Sequence, residues 1–291
     1  MLLLLLLGLR PTQEDRFCLI PEFYSGNTSF CGVFDGTVGD DASDYINKHI
    51  VRHLCNTDEI KDLENGIFSN KVANNLDDKA ELIKRALRKT FIDADAALIS
   101  MCAEKRLHYA SSTGVTAFLT GSLLTVAHIG DSKACICKVV GDNIQPEWLT
   151  VDHKPNMPNE QKRIEQNGGS LAWLHGNKPY IRGGDFFRRQ QQGDHPKQLN
   201  YSRAFGGKDL KMYGLSAEPD ISHFEITSDD KLILLGSDGL WDVINPRTAC
   251  DIALQAHKEG RSATKQIVQT AIEEMPNCGV RDNITVIAIF L

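Results

Sequence analysis

At 291 residues, 42% hydrophobic and 24% charged, the chain has the composition of a globular protein that buries a large core, which excludes disordered and fibrous classes. The formal net charge of -6 excludes a general nucleic-acid binder, since that class carries a basic surplus or stripe. Eight cysteines with no CxxC pair and no zinc-finger spacing read as reduced structural thiols, which points to a reducing compartment, the cytoplasm or nucleus.

The opening MLLLLLLGLR has no basic leader, is too short to span a bilayer and is followed by no small-residue cleavage site. It is expected as a buried strand, with a targeting segment or a truncated start as the alternatives. Short runs rich in β-branched and aromatic residues predict strands at Phe17 to Ile20, Ser29 to Phe34, Thr116 to Leu119, Leu123 to Ile129, Ala134 to Val139, Lys231 to Leu235 and Ile284 to Leu291. After Asp40 and Asp41, the residues Ala42, Tyr45, Ile46, Ile50 and Leu54 fall at helical spacing. A longer amphipathic helix is expected to begin near Asp77 or Asp78, either serving as N-cap, with Leu82, Ile83, Leu87, Phe91 and Ile92 on one face. Two more helices are expected after Pro246 and Ser262, separated by Gly260. This order is not βαβ alternation. It fits an α+β fold of antiparallel sheets stacked face to face with helices outside, as a single domain over residues 1–291. Ser170 to Gln198, without periodicity, reads as a long surface loop, part of a flap at about 170–212.

Acidic residues recur at strand edges. Phe34 runs into Asp35-Gly36, Ile129 into Gly130-Asp131 and Leu235 into Gly236-Ser237-Asp238, while Glu14-Asp15 and Asp282 come just before strands. In antiparallel sheets the end of one strand lies beside the start of the next, so these six carboxylates are expected to converge. Together they would repel unless cations neutralised them, and an oxygen-only donor set suits Mg²⁺ or Mn²⁺ rather than zinc. Any one Asp-Gly pair taken alone reads as a hairpin turn.

From about Gly8 to the C-terminus the chain resembles the PPM, or PP2C-type, serine/threonine protein phosphatases. The matching segments come in family order: RPTQED (10 to 15), FCGVFDG (30 to 36), GVTAFL (114 to 119), VAHIGDSKA (126 to 134), LTVDHKP (149 to 155), RIEQNGG (163 to 169), YSRAFG (201 to 206), SAEPDI (216 to 221), LLGSDGLWDV (234 to 243) and DNITV (282 to 286). The resemblance implies an αββα sandwich around two Mn²⁺ or Mg²⁺ ions, bridged by Asp35 and completed by the Gly36 carbonyl, Glu14, Asp238 and Asp282. Asp131 and Asp242 match positions that hold a third, weaker ion in some members, and Asp15 matches an acidic position beside the centre. Arg10 matches the arginine that holds the substrate phosphate, a task for a planar fork that lysine cannot perform. The resemblance further implies phosphoprotein substrates, a monomer without stable membrane insertion, and direct attack on phosphorus by a water activated between the ions. None of the cysteines lies in the HCx5R loop of cysteine-dependent phosphatases.

The chain departs from the family in two places. Where the family reads DGHGG, this chain has Asp35-Gly36-Thr37-Val38-Gly39, so the histidine proposed to protonate the leaving oxygen is replaced by Thr37. A positioned general acid is worth about 100-fold to 10,000-fold, so the expectation is reduced rather than absent activity, with little cost for removing the Thr37 hydroxyl. The second departure is Gly207, where the family commonly has aspartate, which leaves the rigidity of the flap open. Within the flap, Arg188 and Arg189 read as a solvated charge pair, and His153 as a residue that organises a local turn. A haloacid-dehalogenase reading of FDGTVGD fails because Val33 stands where a nucleophilic aspartate is required. A metallophosphoesterase reading fails because Ala134 replaces the second acid of its GDxxD motif. The alternative from another class is a pseudophosphatase that binds phosphoproteins without turnover; Thr37 and Gly207 favour it and the intact acidic set opposes it.

Overall fold

The computed structural model describes residues 2–6, 8–23, 28–69 and 76–291. In chain order its elements begin β1 (Leu2–Leu6), β2 (Arg16–Ile20), β3 (Thr28–Phe34), β4 (Gly36–Thr37), α1 (Asp41–Cys55), α2 (Asp58–Ser69) and α3 (Leu76–Lys105). The chain continues through β5 (Ser111–Ser112), β6 (Gly114–Thr120), β7 (Leu123–Ile129), β8 (Lys133–Val140), β9 (Asn143–Trp148), α4 (Pro158–Gln166), β10 (Ser170–Leu174), β11 (Lys178–Arg182) and α5 (Phe186–Gln191). It closes with β12 (Phe205–Gly206), α6 (Lys208–Lys211), β13 (Asp220–Glu225), β14 (Asp230–Gly236), α7 (Asp238–Trp241), α8 (Pro246–Lys258), α9 (Ala263–Cys278) and β15 (Ile284–Phe290).

The layering follows from the period-two alternation of side chains along each strand. In β8, Ala134 and Ile136 face the middle of the molecule while Cys135 and Cys137 face helices; in β14, Ile233 and Leu235 point inward and Leu232 and Leu234 outward. Both faces are therefore buried, and such strands read as unbroken apolar runs. One antiparallel sheet has the order β1-β15-β14-β8-β9 and the other β13-β7-β6-β3-β2. Between them lies an apolar layer containing Cys31, Val33, Val115, Val126, Ile136, Ile233, Leu235 and Ile287. Outside the first sheet α8 and α9 pack through Ala249, Ala253, Ile267, Val268 and Ala271. Outside the second, α1 and α3 pack through Ile46, Ile50, Leu54, Ile83, Leu87 and Phe91. The αββα sandwich expected from the sequence is present.

Local signals set several boundaries. Asn245 caps α8 by accepting the Thr248 amide, with Pro246 in the first turn, and Gly260 leaves the helix end with a φ of +68°. Four expectations are corrected. Asp77 and Asp78 sit inside the first turn of α3, where carboxylates favour the helix dipole, rather than capping it. Ile92 is 41% exposed, because the buried stripe of α3 runs through Ile83, Leu87, Phe91 and Leu98. The leucine-rich opening is an edge strand paired with β15, and Leu6 is exposed rather than buried. The stretch from Ser170 to Gln198 holds the β10–β11 hairpin and the short helix α5, laid over a small cluster of Ile164, Ile181, Leu199, Tyr201 and Leu215.

Candidate active site

Register brings the acidic residues to one end of the sandwich. Arg16 pairs with Phe34, so Glu14 and Asp15 lie beside Asp35. Gly114 pairs with Ile129, which sets the Asp131 turn beside Thr113. In the other sheet Gly236 pairs with Val286 and with Lys133, so Asp238 emerges next to Asp282 and to the turn after β7. Arg10, Glu14, Asp35, Gly36, Thr37, Asp131, Asp238, Asp242 and Asp282 line one cleft of about 740 Å³. Asp15 does not line it. That carboxylate is 2% exposed and accepts from Ser237 Oγ at 2.8 Å and Thr285 Oγ1 at 2.6 Å, so it ties the first acidic loop to β14 and β15 from behind.

Polar side chains not singled out in the sequence hold this arrangement. Asn283 accepts from the Glu14 amide at 2.8 Å and donates to the Thr12 carbonyl at 2.9 Å, stapling the start of β15 to the loop before β2. Thr113 brackets Asp35, donating its amide to the Asp35 carbonyl and accepting the Asp35 amide on Oγ1. Ser43 Oγ donates to the Glu14 carbonyl. Gly36 allows this closeness: a Cβ there would stand 2.4 Å from the Glu14 carbonyl oxygen and 2.7 Å from Ser43 Oγ. Gly36→Ala is therefore expected to push β4 away from the Glu14 loop, at a cost of about 1–3 kcal/mol, seen as a lower melting temperature and weaker Mn²⁺ binding by titration.

The electrostatics ask for cations. Burial, reinforced by the neighbouring Asp15, Asp238, Asp282 and Asp131, pushes Asp35 well above the ordinary carboxylate range. Burial also pushes Asp238 far up, together with Asp131, Asp282 and Asp242. Asp15 is raised by burial to about 6 despite its two hydroxyl donors. Three partial answers come from basic side chains: Arg10 pairs with Asp282 at 3.2 Å, Lys154 with Asp131 at 2.5 Å, and Lys178 of β11 with Asp242 at 3.4 Å. The carboxylates of Asp35 and Asp238 have no side-chain partner among the described residues. A donor set of oxygens only, with like charges unrelieved at its centre, fits hard divalent cations.

A second donor cluster lies behind Asp131, outside the cleft. His128, His153 and Asp220 bring three possible ligand atoms within 4.8 Å of one another, the one such group of three or more among the described residues, and they can hold a metal ion. As folded, the group is hydrogen-bonded throughout. His153 Nδ1 accepts the Gly130 amide at 3.1 Å, leaving Nε2 to donate to Asp220 Oδ2 at 3.1 Å. His128 Nε2 donates to the Val151 carbonyl at 2.9 Å and stacks on His153, and burial pushes its pKa down to about 4. Asp220 also pairs with Arg203, which joins the buried Glu160. Burial opposes the charge on Glu160, yet Arg163, Arg203 and Ser202 hold its pKa at about 2. His153 thus organises the Gly130 turn that presents Asp131. In the flap, Arg189 is occupied by Asp194 and Asp209, while the Arg188 side chain is 72% exposed. Gly207 has a φ of +62°, a conformation that favours glycine over the family's aspartate.

Stacked antiparallel sheets that deliver unpaired, half-buried carboxylates to one cleft, with an arginine at its rim, describe a metal-dependent phosphatase. Comparison with known proteins makes the class specific. The family profile described as Protein phosphatase 2C matches residues 7–284. A rice protein named Probable protein phosphatase 2C 56 (Oryza sativa subsp. japonica) is 32% identical over 283 residues, covering 97% of this chain and 68% of its own length. Probable protein phosphatase 2C 76 of Arabidopsis thaliana is 32% identical over 284 residues, and this chain spans 56% of it. The crystal structure of a serine-threonine phosphatase 2C from Toxoplasma gondii superposes with a TM-score of 0.95 at 42% identity, covering 99% of this chain and 93% of that one. The chain belongs to the protein phosphatase 2C family of metal-dependent serine/threonine phosphatases.

Proposed function

We propose that the chain removes phosphate from phosphoserine and phosphothreonine in proteins, with two Mn²⁺ or Mg²⁺ ions held by Glu14, Asp35, the Gly36 carbonyl, Asp238 and Asp282, and a third, weaker ion near Asp131 and Asp242. The observation that supports this most strongly is the unrelieved charge at Asp35 and Asp238, both pushed well above the ordinary range by burial and by each other's neighbours. Bound there, divalent ions supply a water of lowered pKa and neutralise phosphate oxygens. Arg10 binds the phosphate at the rim through its planar fork, exchanging its contact with Asp282 for the substrate. Asp15, Asn283 and Ser43 hold the Glu14 loop in place. Lys154 pairs with Asp131, which suits a weaker third site. Eight unpaired cysteines favour a reducing compartment, the cytoplasm or nucleus.

Thr37 keeps the second reading alive, a protein that binds phosphoproteins without turning them over. Hydrolysis of a phosphoserine peptide and of an aryl phosphate in Mn²⁺, in Mg²⁺ and in chelator separates the two. The phosphatase reading expects turnover of both substrates with either ion and none in chelator. Turnover indifferent to metal, or none under any condition, rejects it.

A further inference from the structure

Val38, in the loop between β4 and α1, has a φ of +63°, the left-handed region where a β-branched side chain crowds its own backbone. Glycine in that place, as in the DGHGG pattern, meets no such strain. Valine therefore destabilises the loop, and packing does not offset it: the residue is 43% exposed and belongs to none of the apolar clusters. Its position points to another use. Val38 lines the cleft beside Asp35, Gly36 and Thr37, in a wall made mostly of charged and polar residues. The other aliphatic residues of that wall are Leu199, which is buried, and Val280, which is half-buried. Val38 is thus the most open aliphatic residue of the cleft among the described residues. Strained residues gather where ligands are held, because strain persists only where the surroundings or the function maintain it.

We propose that Val38 is a specificity-determining residue, which receives the apolar side chain of an amino acid next to the phosphorylated serine or threonine. The proposal rests on the phosphatase reading above and names the substrate class of that site: phosphoproteins with an aliphatic residue, such as leucine, flanking the phosphorylated one. Consecutive Cα atoms of a peptide stand about 3.8 Å apart, so the flanking side chain stays close to the wall that holds the phosphate. Val38 and an aliphatic flank both shed water when they meet, and each methylene so covered favours binding. A glycine flank gains nothing from the contact, and an aryl phosphate carries no flank at all. The charged remainder of the wall offers such a side chain no equivalent surface, so the preference is read at Val38.

The test measures kcat/KM of the full chain with Mn²⁺ on three phosphoserine peptides that differ only beside the phosphoserine: leucine before it, leucine after it, or glycine on both sides. p-Nitrophenyl phosphate is the substrate without a flank. Wild type is compared with Val38→Gly, which removes side chain and strain together, and with Val38→Thr, which keeps the β-branched shape and exchanges a methyl for a hydroxyl. The ratio of a leucine peptide to the glycine peptide is internal to each protein, so a change in the metal centre cancels from it. Wild type should favour at least one leucine peptide by about threefold to tenfold. Val38→Gly should bring that ratio to about one, with Val38→Thr between. Val38→Gly should also melt at the same temperature as wild type or higher, since the strain is gone. A wild-type ratio near one, a ratio retained in Val38→Gly, or a lower melting temperature for that variant, which would assign the valine to the fold, each overturns the proposal. Wild type inactive on every substrate sinks the phosphatase reading itself; wild type active without a flank preference sinks only this inference.

Discussion

Asp238→Asn is expected to abolish metal-dependent hydrolysis, by about 10³-fold or more, while raising the melting temperature of the metal-free protein. On the proposed ligand set, the first effect follows from losing a ligand in a centre that would stabilise the transition state by several kcal/mol, each 1.36 kcal/mol being tenfold in rate. The second follows from the sign of the pKa shifts. Asp35 and Asp238 are pushed well up by burial and by their acidic neighbours, and Asp15 to about 6. A carboxyl whose pKa is raised on folding contributes its stability below its unfolded pKa, and that stability is lost as pH rises through the folded value. The chelated wild type should therefore be more stable near pH 4 to 5 than above pH 7, to the extent of these three groups. An amide at position 238 removes one member of the repelling set without removing its volume. Saturating Mn²⁺ should restore wild type by about 2.7 kcal/mol at a hundredfold excess over Kd, and the variant much less. Thermal melts in chelator and in Mn²⁺, across pH, read all of this. A variant less stable than wild type in chelator, yet shifted equally by Mn²⁺, would contradict the account.

Thr37→His should raise kcat on a phosphoserine peptide, by as much as about 100-fold, and change p-nitrophenyl phosphate hydrolysis little. Imidazole carries a proton at neutral pH that an aliphatic alkoxide needs and an activated phenolate does not. Position 37 is half-buried at the cleft wall, so the larger ring has an open side to occupy. Acceleration of both substrates to the same extent would point to a change in the metal centre instead.

The sandwich was legible because β3, β7, β14 and β15 are buried on both faces and read as apolar runs. Two edge strands, β9 and β13, were not. In β9, Asn143 to Trp148 is largely exposed and carries Pro146, which is tolerated at a sheet edge, and β13 alternates with polar residues and pairs with β7 alone. The acidic positions could be found because each sits against a strand end, where register must bring such residues together. The residues that hold them, Asn283, Thr113 and Ser43, act through backbone atoms far away in sequence, and no local spacing marks them. Tyr201 lay in plain view in YSRAFG, but only the fold shows that its hydroxyl meets Ser111.

The staple between Glu14 and Asn283 joins residues 269 positions apart, and Asp15 reaches 270 positions to Thr285. During synthesis, a ribosome that has finished α9 has still not delivered Asp282. The emerging chain can therefore pair most of both sheets and still have no assembled centre. The cleft acquires Asp282 only when β15 takes its place between β1 and β14, so assembly of the acidic set depends on that docking.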